Sequence, residues 1–155
     1  MIHIEPKILD RINTWLTPTF DEETQTTIKN SIANNPKDIQ ESFYKDLEFG
    51  TGGMRGIMGV GTNRINKYTL GKSTQGLSDY LHKSFPNETP KAVIAFDCRH
   101  NSKTLAKVVA DVFSANGVEV YLFEDLRATP ELSFAVKHLN CHCGIVLTAS
   151  HNPPE

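Results

Sequence analysis

A serine that could act as a nucleophile lies near the end of the 155-residue sequence. The apolar, partly β-branched run 145–147 before Ser150 predicts a buried strand. Pro153 and Pro154 lack backbone donors and fix φ, so neither strand nor helix continues through them. Ser150 is therefore expected on a stiff loop at the carboxyl end of a strand, where open α/β sheets usually bind ligands. Its hydroxyl could hold a transferred group covalently, although such a serine can also simply hydrogen-bond its own turn.

A glycine-rich stretch earlier in the chain could bind an anion. Four of the seven residues from Gly50 to Gly56 are glycine, which permits unusual backbone angles and close approach of the main chain to a ligand. Backbone N–H groups in such a loop can form an anion-binding concavity, and Arg55 adds a bidentate phosphate donor. The alternative is a hairpin turn with a solvated arginine, and local features favour neither reading.

A third polar cluster follows the apolar run 92–96, which predicts a strand buried on both faces. Asp97 and Arg99 lie at the end of this strand, where the carboxylate can orient the arginine or brace a neighbouring loop. We predict that both residues support the serine loop. An ion pair beside a helix cap at Asn101 or Ser102 is the alternative.

These three strings resemble the α-D-phosphohexomutases, the family of phosphoglucomutases and phosphomannomutases. Residues 148–154, Thr-Ala-Ser-His-Asn-Pro-Pro, resemble the phosphoserine loop of that family. Residues 49–56 resemble its Phe-Gly-Thr-x-Gly-x-Arg-Gly motif, and residues 97–102 resemble its Asp-x-Arg-x-Ser segment. The resemblance extends over residues 40–155 and is closest to the subgroup with an N-terminal helical extension, which includes phosphopentomutases.

The resemblance implies a mutase that interconverts sugar 1-phosphate and 6-phosphate through a phosphoserine at Ser150. It implies catalytic roles for Ser150, for Arg55 as the cation near the phosphoserine, and for His151 as a loop-bracing or phosphate-contacting residue. Phosphate or substrate binding is expected at Thr51, Gly52, Arg55, Ser150 and Asn152.

The same resemblance implies cofactors and partners. Mg²⁺ is expected to bind through the phosphate on Ser150 and a second domain, and a glucose bisphosphate-type activator and a sugar phosphate substrate are expected. Only the first of the family's four domains is matched, so domains II–IV of the same chain are expected partners, and these 155 residues alone are expected to be inactive. A phosphopentomutase and a non-catalytic phosphate- or phosphosugar-binding module remain as alternatives.

Helical and strand signals place these motifs in an α/β fold. Three helices are predicted within residues 1–45, forming an N-terminal extension, and residues 46–155 are predicted to form the first domain of the family. Residues 57–66 predict a short strand, a turn and a return, and a helix follows from about residue 67 to 83. Strand, helix, strand, helix and strand then predict a three-layer α/β/α domain with a mixed, largely parallel sheet.

Composition excludes several other classes of protein. The formal charge of −2 provides no basic field for nucleic acid or membrane, and no apolar run approaches the roughly 20 residues that cross a bilayer. Three cysteines indicate a reducing compartment, and a cytoplasmic location is expected. The string Gly71-Lys72-Ser73 lacks the preceding glycine of a nucleotide P-loop. A zinc site at residues 138–143 is disfavoured because neighbouring strand residues point to opposite faces.

Overall fold

The computed structural model describes residues 4–149, and these divide between two compact units, residues 1–69 and 70–155. The helices and strands are, in chain order, α1 (Pro6–Trp15), α2 (Glu22–Asn34), α3 (Pro36–Phe43), β1 (Phe49–Gly50), β2 (Gly53–Met54), α4 (Lys67–Ser84), β3 (Lys91–Phe96), α5 (Ser102–Ala115), β4 (Glu119–Leu122), α6 (Thr129–His138) and β5 (Cys143–Leu147). The predicted domain limits, 1–45 and 46–155, stay a prediction.

Side-chain caps mark the starts of α2 and α3 in the first unit. The side chain of Asp21 accepts a hydrogen bond from the backbone N–H of Thr24 at the start of α2. Asn35 caps α3 in the same way, and Pro36 occupies the first helical position, where its missing N–H costs no helix hydrogen bond. The helices pack around Trp15, which contacts three aromatic rings. The buried core of this unit consists of Ile8, Ile12, Trp15, Ile28, Ile39 and Phe43.

A parallel three-stranded sheet forms the centre of the second unit, in the order β4-β3-β5. The central strand is buried on both faces, since residues 92–96 are at most 3% exposed. This burial confirms the strand that the continuous apolar run predicts. Strand β5 lies at an edge of the sheet, and its residues are only partly buried, contrary to the prediction of a buried strand. An edge strand has one neighbour, so its apolar residues lose less contact with water.

Helices cover both faces of this sheet. Val93 and Ala95 of β3 pack against Leu132 and Ala135 of α6. Alternate residues of β3 point to the opposite face, where Lys103 of α5 lies over the ring of Phe96. The α/β class and the three-layer arrangement of this unit are therefore confirmed.

Two local predictions differ from the structure. Residues 57–66 form a loop joined by a single bridge between Met58 and Ile65, and not the predicted pair of short strands. The Thr129-Pro130 pair predicts a helix with Thr129 as its N-cap, but α6 begins at Thr129 and Ala128 is the N-cap. Among residues 4–149, no helix has both the length and the apolar character that crossing a bilayer requires.

Candidate functional site

The glycine-rich motif folds as a two-residue hairpin in the first unit. Strands β1 and β2 pair antiparallel, with Gly50 opposite Gly53. The turn consists of Thr51 and Gly52, both exposed to solvent. Gly53 has a φ of 129°, which side-chain-bearing residues rarely adopt. The backbone of this segment is therefore a hairpin turn, one of the two structures that its glycines allow.

Arg55 follows β2 and lines an open pocket of about 370 Å³ within the first unit. Among residues 4–149, none forms a hydrogen bond or ion pair with its guanidinium. Two backbone glycines, Gly50 and Gly56, also line this pocket. An arginine without an internal counter-ion beside a concave, glycine-lined surface is well suited to bind an anion from solution.

Arg64 also lines the pocket, and its charge is balanced by carboxylates of the protein itself. It is only 4% exposed and donates to Asp38 Oδ1 at 2.9 Å and to the carboxylate of Glu41. Burial lowers the pKa of Arg64, but the hydrogen bonds that Arg64 donates to Glu41 and Asp38 outweigh burial and hold the pKa above its ordinary value. The two arginines of the pocket therefore have different roles, since Arg64 pairs with carboxylates of the protein and the guanidinium of Arg55 can bind an anion from solution.

In the second unit, Asp97 collects hydrogen bonds at the carboxyl ends of β3 and β5. Its carboxylate accepts from the hydroxyl of Thr148 at 2.5 Å and from the hydroxyl of Ser102 at 2.9 Å. It also accepts from the backbone N–H groups of Arg99, at 2.9 Å, and Ala149. Asp97 thus ties the start of α5 to the residues that immediately precede Ser150.

These contacts favour the ionised form of Asp97. Burial alone raises the pKa of this carboxyl group, but the hydrogen bonds from Thr148, Arg99, Ser102 and Ala149 outweigh burial and hold the pKa below its ordinary value. The contacts reach the two residues before Ser150, and the role of Asp97 as a support of the serine loop stays a prediction. The helix cap expected at Asn101 is not made by its side chain, because Asn101 adopts a left-handed conformation with a φ of 62°.

Some predicted site residues cannot be placed. Ser150, His151 and Asn152 lie outside the described residues, and so does the predicted magnesium position on the phosphate of Ser150. Their roles stay predictions.

The string Gly71-Lys72-Ser73 and the His and Cys residues of 138–143 lie within ordinary structural elements. Lys72 lies inside helix α4, so no glycine loop precedes it as a P-loop requires. His142 accepts a hydrogen bond from the backbone N–H of Lys91 and packs its ring on Phe85 at 4.3 Å. Burial raises the pKa of the Cys143 thiol to about 11, so it stays protonated. Within residues 4–149, no three His, Cys, Asp or Glu side chains are grouped so that they could hold a metal ion.

Sequence reasoning missed the hydroxyls of Thr148 and Ser102 as partners of Asp97. The register could have revealed Thr148, because Phe96 pairs with Leu147 in parallel strands, and the next residues therefore lie side by side. Arg64 was also missed as a buried ion-pair partner. The signal available for it was the spacing of Asp38 and Glu41, which places both carboxylates on one face of a helix.

Comparison with known proteins identifies the family. Residues 46–155 match the family model described as phosphoglucomutase/phosphomannomutase, alpha/beta/alpha domain I. The chain belongs to this family. The matched range includes the glycine–arginine hairpin, the Asp97 cluster and the serine string, so the resemblance stated from these motifs is confirmed at the level of the family and of its first domain.

Individual members of the family cover most of this chain. A phosphoglucomutase of Staphylococcus epidermidis is 37% identical over 143 residues, which is 92% of this chain and 25% of that protein. A phosphoglucomutase of Staphylococcus aureus strain USA300 is 44% identical over 116 residues, which is 75% of this chain and 21% of that protein. The chain thus spans about a quarter or less of the length of these relatives. No solved structure matches it significantly.

Proposed function

We propose that this chain is the first domain of a phosphosugar mutase that interconverts sugar 1-phosphate and 6-phosphate through a phosphoserine at Ser150. One observation carries the proposal: the family match includes the serine string, and Asp97 fixes Thr148 and Ala149, the two residues before that serine. The sugar proposed is glucose or mannose, since the family model is described as phosphoglucomutase/phosphomannomutase and the two relatives are named phosphoglucomutases.

In the proposed reaction the phosphoryl group moves between Ser150 and a sugar hydroxyl. The bond between phosphorus and the serine oxygen breaks as a bond to the sugar oxygen forms, and the proton of the sugar hydroxyl leaves to a base. The bisphosphate then reorients, and the serine recovers a phosphoryl group from the other position. Such transfers depend mainly on positioning and on cations around the moving group.

The described residues suit the supporting roles in this scheme. Arg55 lines the pocket, and its guanidinium can neutralise charge on the phosphoryl group. Thr51 and Gly52 are exposed in the hairpin turn that precedes Arg55. Asp97 fixes the approach of the chain to Ser150, and Arg99 supports the same strand end through its backbone N–H. His151 and Asn152 are proposed to brace the loop or contact phosphate.

Among residues 4–149, no group of three or more His, Cys, Asp or Glu side chains could hold the magnesium ion that the family resemblance implies. We therefore propose that Mg²⁺ binds through the phosphate of Ser150 and through residues beyond the described part of the chain. When bound, it would polarise a phosphate oxygen. A glucose bisphosphate-type activator is proposed as the source that phosphorylates Ser150.

The test is intact-mass analysis of the protein encoded by the complete gene. We expect a phosphate adduct that disappears in Ser150→Ala and persists in Ser73→Ala, whose serine lies in helix α4. Incubation with a sugar 1-phosphate should discharge the adduct. An unphosphorylated wild-type protein that stays unmodified after treatment with glucose 1,6-bisphosphate would refute the phosphoserine mechanism.

The alternatives give different results in the same experiment. A phosphopentomutase should lose its phosphate adduct to ribose 5-phosphate and not to glucose 6-phosphate. A non-catalytic phosphate-binding module should bind phosphate through Arg55 without forming any covalent adduct.

We further propose that these 155 residues alone do not turn over, because the chain spans about a quarter or less of the relatives it matches. A coupled mutase assay with the bisphosphate activator tests this, and robust activity from the 155-residue chain would refute it.

A further inference from the structure

Helix α3 is joined to the pocket wall by a set of polar contacts in which Arg64 is central. The guanidinium of Arg64 is buried, but the two carboxylates that it contacts, Asp38 and Glu41, have side chains about half exposed, at 53% and 52%. Both carboxylates lie on α3, three residues apart, so that a single guanidinium reaches both.

The residues just before Arg64 cap the end of the same helix. The backbone N–H of Asn63 donates to the carbonyl oxygen of Ser42 at 2.9 Å, and its side-chain amide donates to the carbonyl oxygen of Glu41 at 3.2 Å. The hydroxyl of Thr62 donates to the carbonyl oxygen of Lys45 at 2.6 Å. The last carbonyls of a helix have no partner within the helix, and here the segment 62–63 supplies partners at and just beyond the helix end.

The residue after Arg64 is joined to the segment that carries Arg55. The backbone N–H of Ile65 donates to the carbonyl oxygen of Ile57 at 2.9 Å, and the N–H of Gly59 donates to the carbonyl oxygen of Ile65 at 3.2 Å. Gly56 packs so closely on Leu47 that an added Cβ would lie 2.9 Å from its Cδ1. The backbone on either side of Arg64 is therefore fixed to α3 on one side and, on the other, to Ile57 and Gly59, which follow Arg55 closely in the chain.

We propose that Arg64 is a positioning residue that holds Arg55 in place by fixing segment 57–66 to helix α3. The N-terminal helices, to which the sequence assigns no chemistry, would thereby support the anion site. The charge of Arg64 is satisfied by Asp38 and Glu41, so its role is to hold the pocket wall, and Arg55 contacts the ligand. The kinetic part of this inference rests on the proposed mutase function, but the structural part does not.

The test uses three variants. Arg64→Met removes the link from the buried side, and Asp38→Asn combined with Glu41→Gln weakens it from the exposed side, where folding is less at risk. Arg11→Met is the matched control, because Arg11 also contacts the end of α3, where it donates to the carbonyl oxygen of Phe43. Within residues 4–149 its hydrogen bond and ion pair involve Phe43 and Asp46 and not segment 57–66.

The first measurement is ¹⁵N relaxation of the amides of residues 53–56 in this chain. We expect order parameters to fall from about 0.85 to below about 0.6 in the Arg64 and carboxylate variants, and to stay unchanged in Arg11→Met. Unchanged order parameters in the folded carboxylate double variant would overturn the proposal. This readout does not depend on catalysis.

The second measurement is steady-state kinetics of the protein encoded by the complete gene. We expect the carboxylate double variant to lose kcat about tenfold or more with KM nearly constant, since misplacement of a group by about 1 Å can cost about 100-fold. In an Arg55→Ala background the same change should cause no further loss, because Arg64 acts through Arg55. Full additivity of the two losses would contradict this. If the wild type shows no mutase activity but the relaxation effect appears, the proposed function fails and the positioning role stands.

Discussion

Replacement of Asp97 tests the most densely bonded group of the second unit. Asp97→Ala removes the acceptor for the hydroxyls of Thr148 and Ser102 and for the N–H groups of Arg99 and Ala149. Ser102 is only 5% exposed, so its hydroxyl loses its partner where water has little access. A stranded buried polar group costs about 1–3 kcal/mol, and hydrogen bonds to a charged acceptor contribute about 1.5–3 kcal/mol each, although such contributions are not additive. We expect a loss of about 3 kcal/mol in the free energy of unfolding.

Thermal unfolding measures this loss. For a chain of this length about 1 kcal/mol lowers Tm by roughly 2–4 °C, so Asp97→Ala should lower it by about 6–12 °C. Asp97→Asn keeps one acceptor oxygen and should lose about half as much stability, with Tm falling by about 3–6 °C. The control is Asp111→Ala on α5, which removes an exposed pair with Lys107 and should cost about 0.3–0.5 kcal/mol.

The pH dependence gives an independent check. Because the pKa of Asp97 is held below its ordinary value in the folded protein, its stabilising contribution is present above the ordinary pKa of about 3.9. This contribution is lost as the pH falls through the lowered pKa. Asp97→Asn should therefore flatten the decline of stability below about pH 4. If Asp97→Ala lowers Tm no more than Asp111→Ala, or if Asp97→Asn leaves the acid limb unchanged, the reasoning is wrong.

Three further outcomes are expected. The pKa of Asp21 is held well below its ordinary value by Lys67, Tyr68 and Thr24, so the first unit should lose stability in acid. Asp21→Asn should reduce the difference in stability between urea titrations at pH 7 and at pH 3. Equal losses of stability in the wild type and the variant would contradict this. Iodoacetamide at pH 8 should label exposed Cys98 at least about 100-fold faster than Cys143, whose pKa is about 11. Comparable labelling rates in a mass-spectrometric time course would contradict the protection of Cys143 by burial. Gly61→Ala should destabilise the first unit by about 3 kcal/mol or more, because Gly61 has a φ of 124° and an added Cβ would lie 2.4 Å from the Ser42 carbonyl oxygen. In the control Gly52→Ala the added Cβ meets no atom within 4 Å, so this variant should unfold at nearly the wild-type urea concentration.

The sequence predicts those features that depend on neighbouring residues. The start of α3 follows from the Asn35-Pro36 pair, and the burial of β3 follows from its continuous apolar run. The partial exposure of β5 does not follow from its composition, because that exposure depends on its place at the edge of the sheet.

In the candidate site, too, the sequence predicts what depends on residue type and does not predict contacts between distant parts of the chain. Residue types identify Arg55 and Asp97 as groups that could handle an anion or brace a loop. They do not reveal that Thr148 lies against Asp97, since this requires the register between β3 and β5. Nor do they reveal the burial of Arg64, which depends on two carboxylates that lie more than twenty positions earlier in the chain.

The order of strands in the second unit has a kinetic consequence. Pairing of β3 with β4 joins Lys91 to Glu119, whereas pairing of β3 with β5 joins Ala92 to Cys143 and closes a much longer loop. The first pairing should therefore form earlier during folding, and β5 should dock after the rate-limiting barrier. Substitutions in β5 would then chiefly accelerate unfolding, whereas substitutions in β4 would slow refolding.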